Sequence, residues 1–255
     1  PPPPPPPPPI SITPPPPRTT PPRNRRQRQM CIRDRLSTIL YGGRLSIIVG
    51  LAAVALGMVL GVTLGVISGY FGGVVDTVIM RLADVQLTIP GILLAILING
   101  IGRALLPLEM REDFAVYVVI VAIGLTDWPQ FARVTRGATM VEANKEYVQA
   151  ARVIDLPHWL IMVRHILPNV MRPVLVLATI GLALAIIAEA TLSFLGQGIP
   201  PTTPSLGTLI RVGNEYLFSG LWWITFFPAI ALVVLVFAVN LLGDWMRDAL
   251  NPKLR

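Results

Sequence analysis

The chain has 255 residues, of which 53% are hydrophobic and only 14% are charged, and its mean hydropathy is +0.64. These values exclude an ordinary soluble globular domain and predict that most of the chain lies in lipid. The formal net charge is +7, but the Lys and Arg residues are spread among hydrophobic segments without an aromatic-studded basic face, so nucleic acid is not an expected partner. Membrane lipid with anionic headgroups accounts for the excess charge.

The first 35 residues differ from the rest of the chain. Residues 1 to 22 are mostly proline, and residues 23 to 35 (RNRRQRQMCIRDR) are basic and almost without apolar periodicity. Such a segment cannot bury a core, so we expect polyproline II or disorder over residues 1 to 35. Because QRQMCIRDR resembles translated adapter sequence, we also expect this head to be foreign to the natural protein.

Five apolar segments with few or no charges follow the head. At about 1.5 Å of rise per residue, helices of this length cross most or all of a hydrocarbon layer of about 30 Å. The pattern predicts an all-α, polytopic membrane helix bundle with five spans, at residues 45–68, 85–102, 114–132, 173–195 and 221–243. The second span is interrupted by Pro90-Gly91, and the last begins with Trp222-Trp223, which is typical of an aromatic belt.

Glycines recur at every fourth residue of the first span, at Gly57, Gly61, Gly65 and Gly69. Residues with this spacing share one face of a helix, and small side chains there let a neighbouring backbone approach closely. We therefore interpret these glycines as helix-packing residues.

Two carboxylates fall inside predicted spans. Glu189 lies near one end of the fourth span beside Thr191 and Ser193, and Asp127 precedes Pro129 near the end of the third. A carboxylate at membrane depth is a candidate functional group. For Glu189 we favour a cap or a local pair, and for Asp127 a position at a helix end over a place on a translocation path.

Lysine and arginine in the connections predict the orientation of the spans. Alternate connections, at residues 70–84, at 133–172 and from 244 onward, hold one, six and three, against two in 103–113 and one in 196–220. The positive-inside rule then places the 133–172 insert and the C-terminus in the cytoplasm. With five spans the head would lie outside. That position conflicts with the positive-inside rule, because eight arginines precede the first span, the last of them Arg44.

No set of residues for catalysis, metal binding or cofactor binding is evident. Cys31 is the single cysteine, and His158 and His165 are both in the polar insert, which disfavours an intramembrane enzyme or a zinc site. A phosphate-binding G-x-x-x-x-G-K-[ST] loop is excluded because Lys145 and Lys253 do not follow glycine. If ATP drives transport, the ATPase must therefore be a separate chain.

The polar insert at residues 133–172 has a helical composition. EANKEYVQAA at 142–151 is rich in helix formers, and a second run follows Pro157, whose missing N–H is tolerated at a helix start. The insert predicts two short helices at a bend, and its composition alone leaves open a solvated pair without a partner. Within it a glutamate, an alanine pair, an aspartate and a Leu-Pro pair stand in order at Glu146, Ala150, Ala151, Asp155, Leu167 and Pro168.

This pattern resembles the EAA loop of the transmembrane subunits of binding-protein-dependent ABC importers. The resemblance extends over residues 36–255 and includes GYFGGVVDTVIMRLADV, RHILPN, EATLSFLGQGIPPTTPSLGTLI and NLLGDWMRDALNPKLR. Together these segments are similar to the second permease subunit of dipeptide and oligopeptide importers. In that family a glycine stands at the position of Asp155, and aspartate is among the better substitutes because it tolerates the left-handed backbone region and can cap the following helix.

The resemblance implies the ABC importer transmembrane-domain fold, with six spans in the family and both ends inside. It implies an inner-membrane protein that is not an enzyme and that needs no cofactor. Its partners would be a homologous permease subunit that completes the pore, two cytosolic ATPase subunits and an extracytoplasmic solute-binding protein. Importers of nickel, glutathione and opines share this permease type, so the exact solute stays open.

The resemblance also implies a role for the insert in coupling. Residues 142–155, beginning at Glu142, would form a loop helix and docking turn on the ATPase. The alanine pair would permit close approach, and Glu146 and Arg152 would make polar contacts at the rim. The alternative function is a self-powered secondary transporter or channel, which ought to show inverted repeats, discontinuous helices or several intramembrane charges facing a pathway.

Overall fold

The computed structural model describes residues 25 to 200 and 202 to 249. Within these ranges the chain is helical and has no strands, which confirms the predicted all-α class. The helices are α1 (Arg25–Phe71), α2 (Gly73–Thr88), α3 (Gly91–Leu105), α4 (Arg111–Glu142), α5 (Glu146–Val153), α6 (His158–Leu160), α7 (Leu167–Phe194), α8 (Leu206–Glu215) and α9 (Trp223–Ala249). Short 3-10 turns occupy Leu108–Met110 and Leu217–Ser219.

The chain divides into two compact units, residues 1–36 and 37–255. In the first unit, residues 25–35 are helical, so the expected disorder is wrong for this stretch. Its arginine, glutamine and methionine residues are good helix formers, which is the physical reason. The proline-rich residues 1–24 lie outside the described residues, and the foreign origin of the head stays a prediction.

Four helical segments of the described chain are long and apolar enough to cross a membrane, at Leu36–Phe71, Arg111–Glu142, His158–Phe194 and Trp223–Ala249. A fifth span is counted only if α2 and α3 form one span, and these two helices are bent by 97° relative to each other. The second predicted span is therefore sharply bent. Its cause is Pro90, which disfavours helical backbone at the preceding residue, and Ile89 is accordingly extended with φ −88° and ψ 127°.

Helix α4 is longer than the span predicted at residues 114–132. It continues ten residues further to Glu142 and contains Pro129 in its interior. Asp127 thus lies fifteen residues before the end of the helix, and the predicted helix-end position for this carboxylate is wrong. Neighbouring helices stabilise the continuous helix, although Pro129 cannot donate a backbone hydrogen bond within it.

A π-helical segment at Ile161–Ile166 joins α6 to α7. The N–H of Leu167 donates to the carbonyl of Met162, five residues earlier. Pro168 follows directly and has no N–H to donate to an earlier carbonyl, so the regular α-helical pattern is interrupted here. The Leu-Pro pair identified in the sequence therefore marks the place where the polar insert enters α7.

The glycines of α1 lie against the backbone of α4. A Cβ atom built on each glycine would stand 2.5 to 3.1 Å from an α4 carbonyl oxygen, with the pairs Gly57–Gly124, Gly61–Trp128, Gly65–Ala132 and Gly69–Arg136. Both residue numbers rise by four from one pair to the next, so α1 and α4 run parallel along this contact. The stripe leaves no room for side chains and brings the two backbones together.

Helix α2 lies along the second half of α4 and is held there by polar contacts. Asp76 forms two contacts with Arg136, of 2.5 and 2.6 Å, and Asp84 forms one with Arg133 at 2.6 Å. Trp128 Nε1 donates to Gln86 Oε1 at 2.8 Å. These contacts fix the antiparallel register of α2 on α4.

Glu189 is fully buried where α7 approaches the early part of α1. Its carboxylate accepts hydrogen bonds from Ser46 and from Ser193, each at 2.7 Å. Ser193 Oγ in turn accepts from the backbone N–H of Ile199 at 3.1 Å. The local pairing expected for Glu189 is confirmed, and its charge is satisfied by hydroxyl groups.

We expect Gly61→Ala to destabilise the protein. The added methyl would lie 2.5 Å from the Trp128 carbonyl oxygen and 2.9 Å from the Ala132 nitrogen, both backbone atoms that cannot move aside. Overpacking of this kind costs about 1 to 3 kcal/mol, which outweighs the gain of about 1 kcal/mol in helix propensity. The measurement is thermal unfolding in detergent.

The control for this variant is Gly43→Ala in the same helix, where nothing lies within 4 Å of the new Cβ. This variant should be neutral or slightly stabilising. Equal melting temperatures for the two variants would contradict the close contact between α1 and α4.

Candidate functional site

Between α4 and α7 the polar insert contains two short helices, α5 and α6, and the π-helical segment. Helix α4 ends at Glu142, and the chain turns through residues 143–145 before α5 begins at Glu146. The prediction of a single loop helix from Glu142 onward is thus wrong, because Lys145 adopts extended backbone at φ −74° and ψ 149°. Glu142 belongs to the long helix, and α5 alone forms the insert's first short helix.

One face of α5 is anchored in the core. Val148 and Ala151 are buried, and they belong to the same apolar cluster as Ile161, Ile166 and Val170. The two alanines of the EAA pattern therefore differ in position, since Ala151 points into the protein while Ala150 is exposed. Only Ala150 is available for the close approach of another molecule.

A polar latch connects α5 with both long helices. The Tyr147 hydroxyl donates to Glu142 Oε1, and Asn169 Nδ2 donates to the same hydroxyl at 3.0 Å. Lys145 Nζ lies 2.7 Å from Glu142 Oε2. This latch (Glu142, Lys145, Tyr147 and Asn169) joins the end of α4, the start of α5 and the start of α7.

Sequence reasoning identified Glu142 but missed the other three members of the latch. Their only signal was the polar spacing within the insert, which does not reveal contacts between separate helices. Burial raises the pKa of the Tyr147 phenol to about 12, and the hydrogen bond to the Glu142 carboxylate adds to this effect. The phenol consequently remains a neutral donor throughout the physiological pH range.

The end of α1 contacts the opposite side of the insert. The Tyr70 hydroxyl and His158 Nδ1 are 2.8 Å apart, and the Arg152 guanidinium lies 4.9 Å from the centre of the Tyr70 ring. Arg152 was expected at a rim facing an ATPase, and in the structure it makes this cation–π contact within the chain. Helix α1 is thereby tied to both ends of the turn after α5.

Asp155 closes the C-terminus of α5 in the left-handed conformation, with φ 56°. The N–H of Asp155 donates to the Arg152 carbonyl at 3.1 Å, and that of Leu156 donates to the Ala151 carbonyl at 3.2 Å. These two bonds are those of a Schellman motif, whose left-handed position is usually glycine. The predicted side-chain cap by Asp155 is absent, since Pro157 is the cap residue of α6 and no side chain bonds there.

The outer face of the insert is exposed and partly apolar. Val153, Ile154 and Trp159 are exposed by 86%, 70% and 62%. Glu146 and Ala150 are also exposed on α5. We call these five residues the coupling face. Leu167 and Pro168 do not belong to it, because they lie where the π-helical segment passes into α7.

The geometry is thus a short helix with an exposed outer face and an inner face tied to α1, α4 and α7. Residues 61–255 match the family described as binding-protein-dependent transport system inner membrane component. The chain belongs to this family. The permease is accordingly a transport component rather than an enzyme, it crosses the inner membrane several times, and it works with ATPase and other subunits.

Several curated proteins are similar to the permease over 88% of its length. The dipeptide transport system permease protein DppC of Haemophilus influenzae is 41% identical over 223 residues, which cover 72% of that protein. DppC of Escherichia coli strain K12 is 41% identical over 224 residues, 71% of its length. The glutathione transport system permease protein GsiD of Pectobacterium atrosepticum is 39% identical, with 70% covered.

Solved structures with low sequence identity share the fold. Inward-facing MetNI methionine ABC transporter matches with a TM-score of 0.64 at 18% identity, covering 84% of the permease and 96% of that chain. An amino acid ABC transporter matches with a TM-score of 0.63 at 14% identity, covering 86% and 97%. The helical arrangement is therefore that of an ABC transporter membrane domain.

We expect Asp155→Gly to stabilise the permease. Glycine has no Cβ penalty in the left-handed region, whereas other residues lose up to about 1 to 2 kcal/mol there. Among the residues at position 155, Gly should give the highest melting temperature in detergent, Asp and Asn a lower one, and Val the lowest. A melting temperature for Asp155→Val at or above that of the parent would contradict the left-handed turn.

We expect Tyr147→Phe to loosen α5 without unfolding the bundle. Loss of a hydrogen bond to a charged group costs about 1.5 to 3 kcal/mol, so amide exchange in residues 146–153 should accelerate at least about tenfold. Exchange in the middle of α4 should not change. Tyr117→Phe, at a tyrosine exposed by 64%, is the control.

Unchanged exchange in α5 after Tyr147→Phe would show that the latch does not hold this helix.

In the unmodified permease, the hydrogen bond from Tyr147 to Glu142 should persist until strongly alkaline pH. Because the phenol pKa is raised from 10 to about 12, its contribution to stability is complete below pH 10 and is lost as the pH rises towards 12.

Proposed function

We propose that this chain is a permease subunit of an ATP-driven importer of dipeptides, oligopeptides or a related solute. Two of the similar proteins carry names of dipeptide transport systems and one that of a glutathione transport system. Glutathione is itself a small peptide, so these names agree on the chemical class. Nickel remains a further possible cargo of this permease type, as expected from the sequence resemblance.

The observation that carries the proposal is the exposed coupling face on a helix that is tied to three long helices. Apolar side chains as exposed as Val153 and Ile154 favour burial against a partner protein. Docking of an ATPase there would place nucleotide-driven movement on α5. The latch and the Tyr70 contacts would then pass that movement to α4, α7 and α1.

The proposed orientation places the coupling face and the C-terminus in the cytoplasm. Six of the lysines and arginines in the connections lie in residues 133–172, which supports this orientation. The proposed partners are two ATPase subunits, a homologous permease that forms the other half of the pore, and an extracytoplasmic solute-binding protein. The broken α2–α3 span would also suit the self-powered alternative, but that alternative gives no role to the exposed coupling face.

We expect Ile154→Asp and Glu146→Arg to release the ATPase. A desolvated hot-spot residue contributes about 2 kcal/mol or more, so at least about a thirtyfold weaker complex is expected. The measurement is the amount of ATPase that co-purifies from membranes with the tagged permease, expressed together with the other subunits of its operon. Phe218→Asp is the control, because Phe218 is 97% exposed but lies outside the insert.

A second measurement tests transport itself. The assembled complex in proteoliposomes should take up a labelled dipeptide only when ATP and the binding protein are present. Uptake without any ATPase would support a secondary transporter. Retention of the ATPase by both insert variants would reject the coupling face as its docking site.

A further inference from the structure

Asp127 lies beside a small cavity between α4 and α7. The cavity has a volume of about 30 Å³, and its lining includes Gln130 from α4 and Leu177 and Gly181 from α7. Such a volume holds about one or two water molecules. A carboxylate in the interior of a long apolar helix therefore has beside it a space large enough for water.

Asp127 has no hydrogen-bond or salt-bridge partner among the described residues. Three other carboxylates that face a neighbouring helix are paired. Asp76 is paired with Arg136, Asp84 with Arg133, and Glu189 with two hydroxyl groups. An unpaired carboxylate deep in a membrane protein is costly, and such groups usually face a ligand pathway.

The cavity lies on a face that this chain leaves uncovered. Two further lining residues from α7, Ile180 and Leu184, are exposed by 49% and 52%. Gln130 is exposed on the same side of α4, one turn after Asp127. Lipid chains cannot solvate a carboxylate and an amide together, so this face is suited to water and polar solute.

We propose that Asp127 lies on the translocation path and binds the ammonium groups of a peptide in transit, which makes it a specificity-determining residue. The inference rests on the proposed peptide permease. A peptide carries an ammonium group at its N-terminus, and lysine side chains add more. An opposite charge held in a partly desolvated slot stabilises such a group much more than bulk water would. The Gln130 amide, one turn further, supplies a donor and an acceptor for the peptide backbone.

The test compares two peptides in the fully assembled transporter. Uptake of Lys-Ala and of Glu-Ala into proteoliposomes is measured per ATP hydrolysed, with saturating binding protein loaded with each peptide. Asp127→Asn should lower the ratio of Lys-Ala to Glu-Ala uptake by about tenfold, the effect of one lost ionic contact. Asp127→Glu should largely restore the ratio. Asp113→Asn, at an exposed carboxylate near the start of the same helix, should leave it unchanged.

The outcomes separate the possible failures. An unchanged ratio in Asp127→Asn, with normal assembly, would overturn the inference. Loss of the second permease or of folding in Asp127→Asn would also overturn it, since the carboxylate would then be structural. Absence of uptake of either peptide by the parent complex would instead reject the proposed peptide function.

Discussion

The close contact of α1 with α4 determines much of this structure. Four glycines place the backbone of α1 against successive carbonyl groups of α4. Lipid chains are as apolar as the side chains of the helices, so the hydrophobic effect does not drive helices together inside the membrane. Close packing of small residues is a principal source of their association instead. The contact also fixes α4, which carries Asp127 in its middle and Glu142 at its end. Asp127 and the latch residue Glu142 are consequently parts of one continuous helix.

Several charged side chains of the bundle are paired with groups on a neighbouring helix. Helix α2 is joined to α4 through two carboxylate–arginine pairs, and Glu189 is surrounded by hydroxyl donors. Each pair joins one position on each of two helices, so it also fixes the register of those helices. Asp127 differs from these three carboxylates, because it has no hydrogen-bond or salt-bridge partner among the described residues.

The insert combines firm attachment with an exposed surface. Its inner residues are buried with the ends of the long helices, and its outer residues face away from the chain. A short helix held in this way moves with the helices that it contacts, which is what proposed coupling to an ATPase requires. The left-handed turn at Asp155 sets the direction in which the chain leaves α5. A change there would alter the relation between the coupling face and α7.

The class of protein can be predicted from the chain alone, because apolar segments long enough to cross lipid are visible without any tertiary information. The sequence also located the insert and the glycine stripe, which depend on local spacing. The 97° bend at Pro90 and the full length of α4 depend instead on contacts between helices. Proline permits several outcomes in a membrane helix, and packing against neighbours selects among them. The latch and the open face beside Asp127 could not be read from the sequence, because they arise where residues distant in the chain meet.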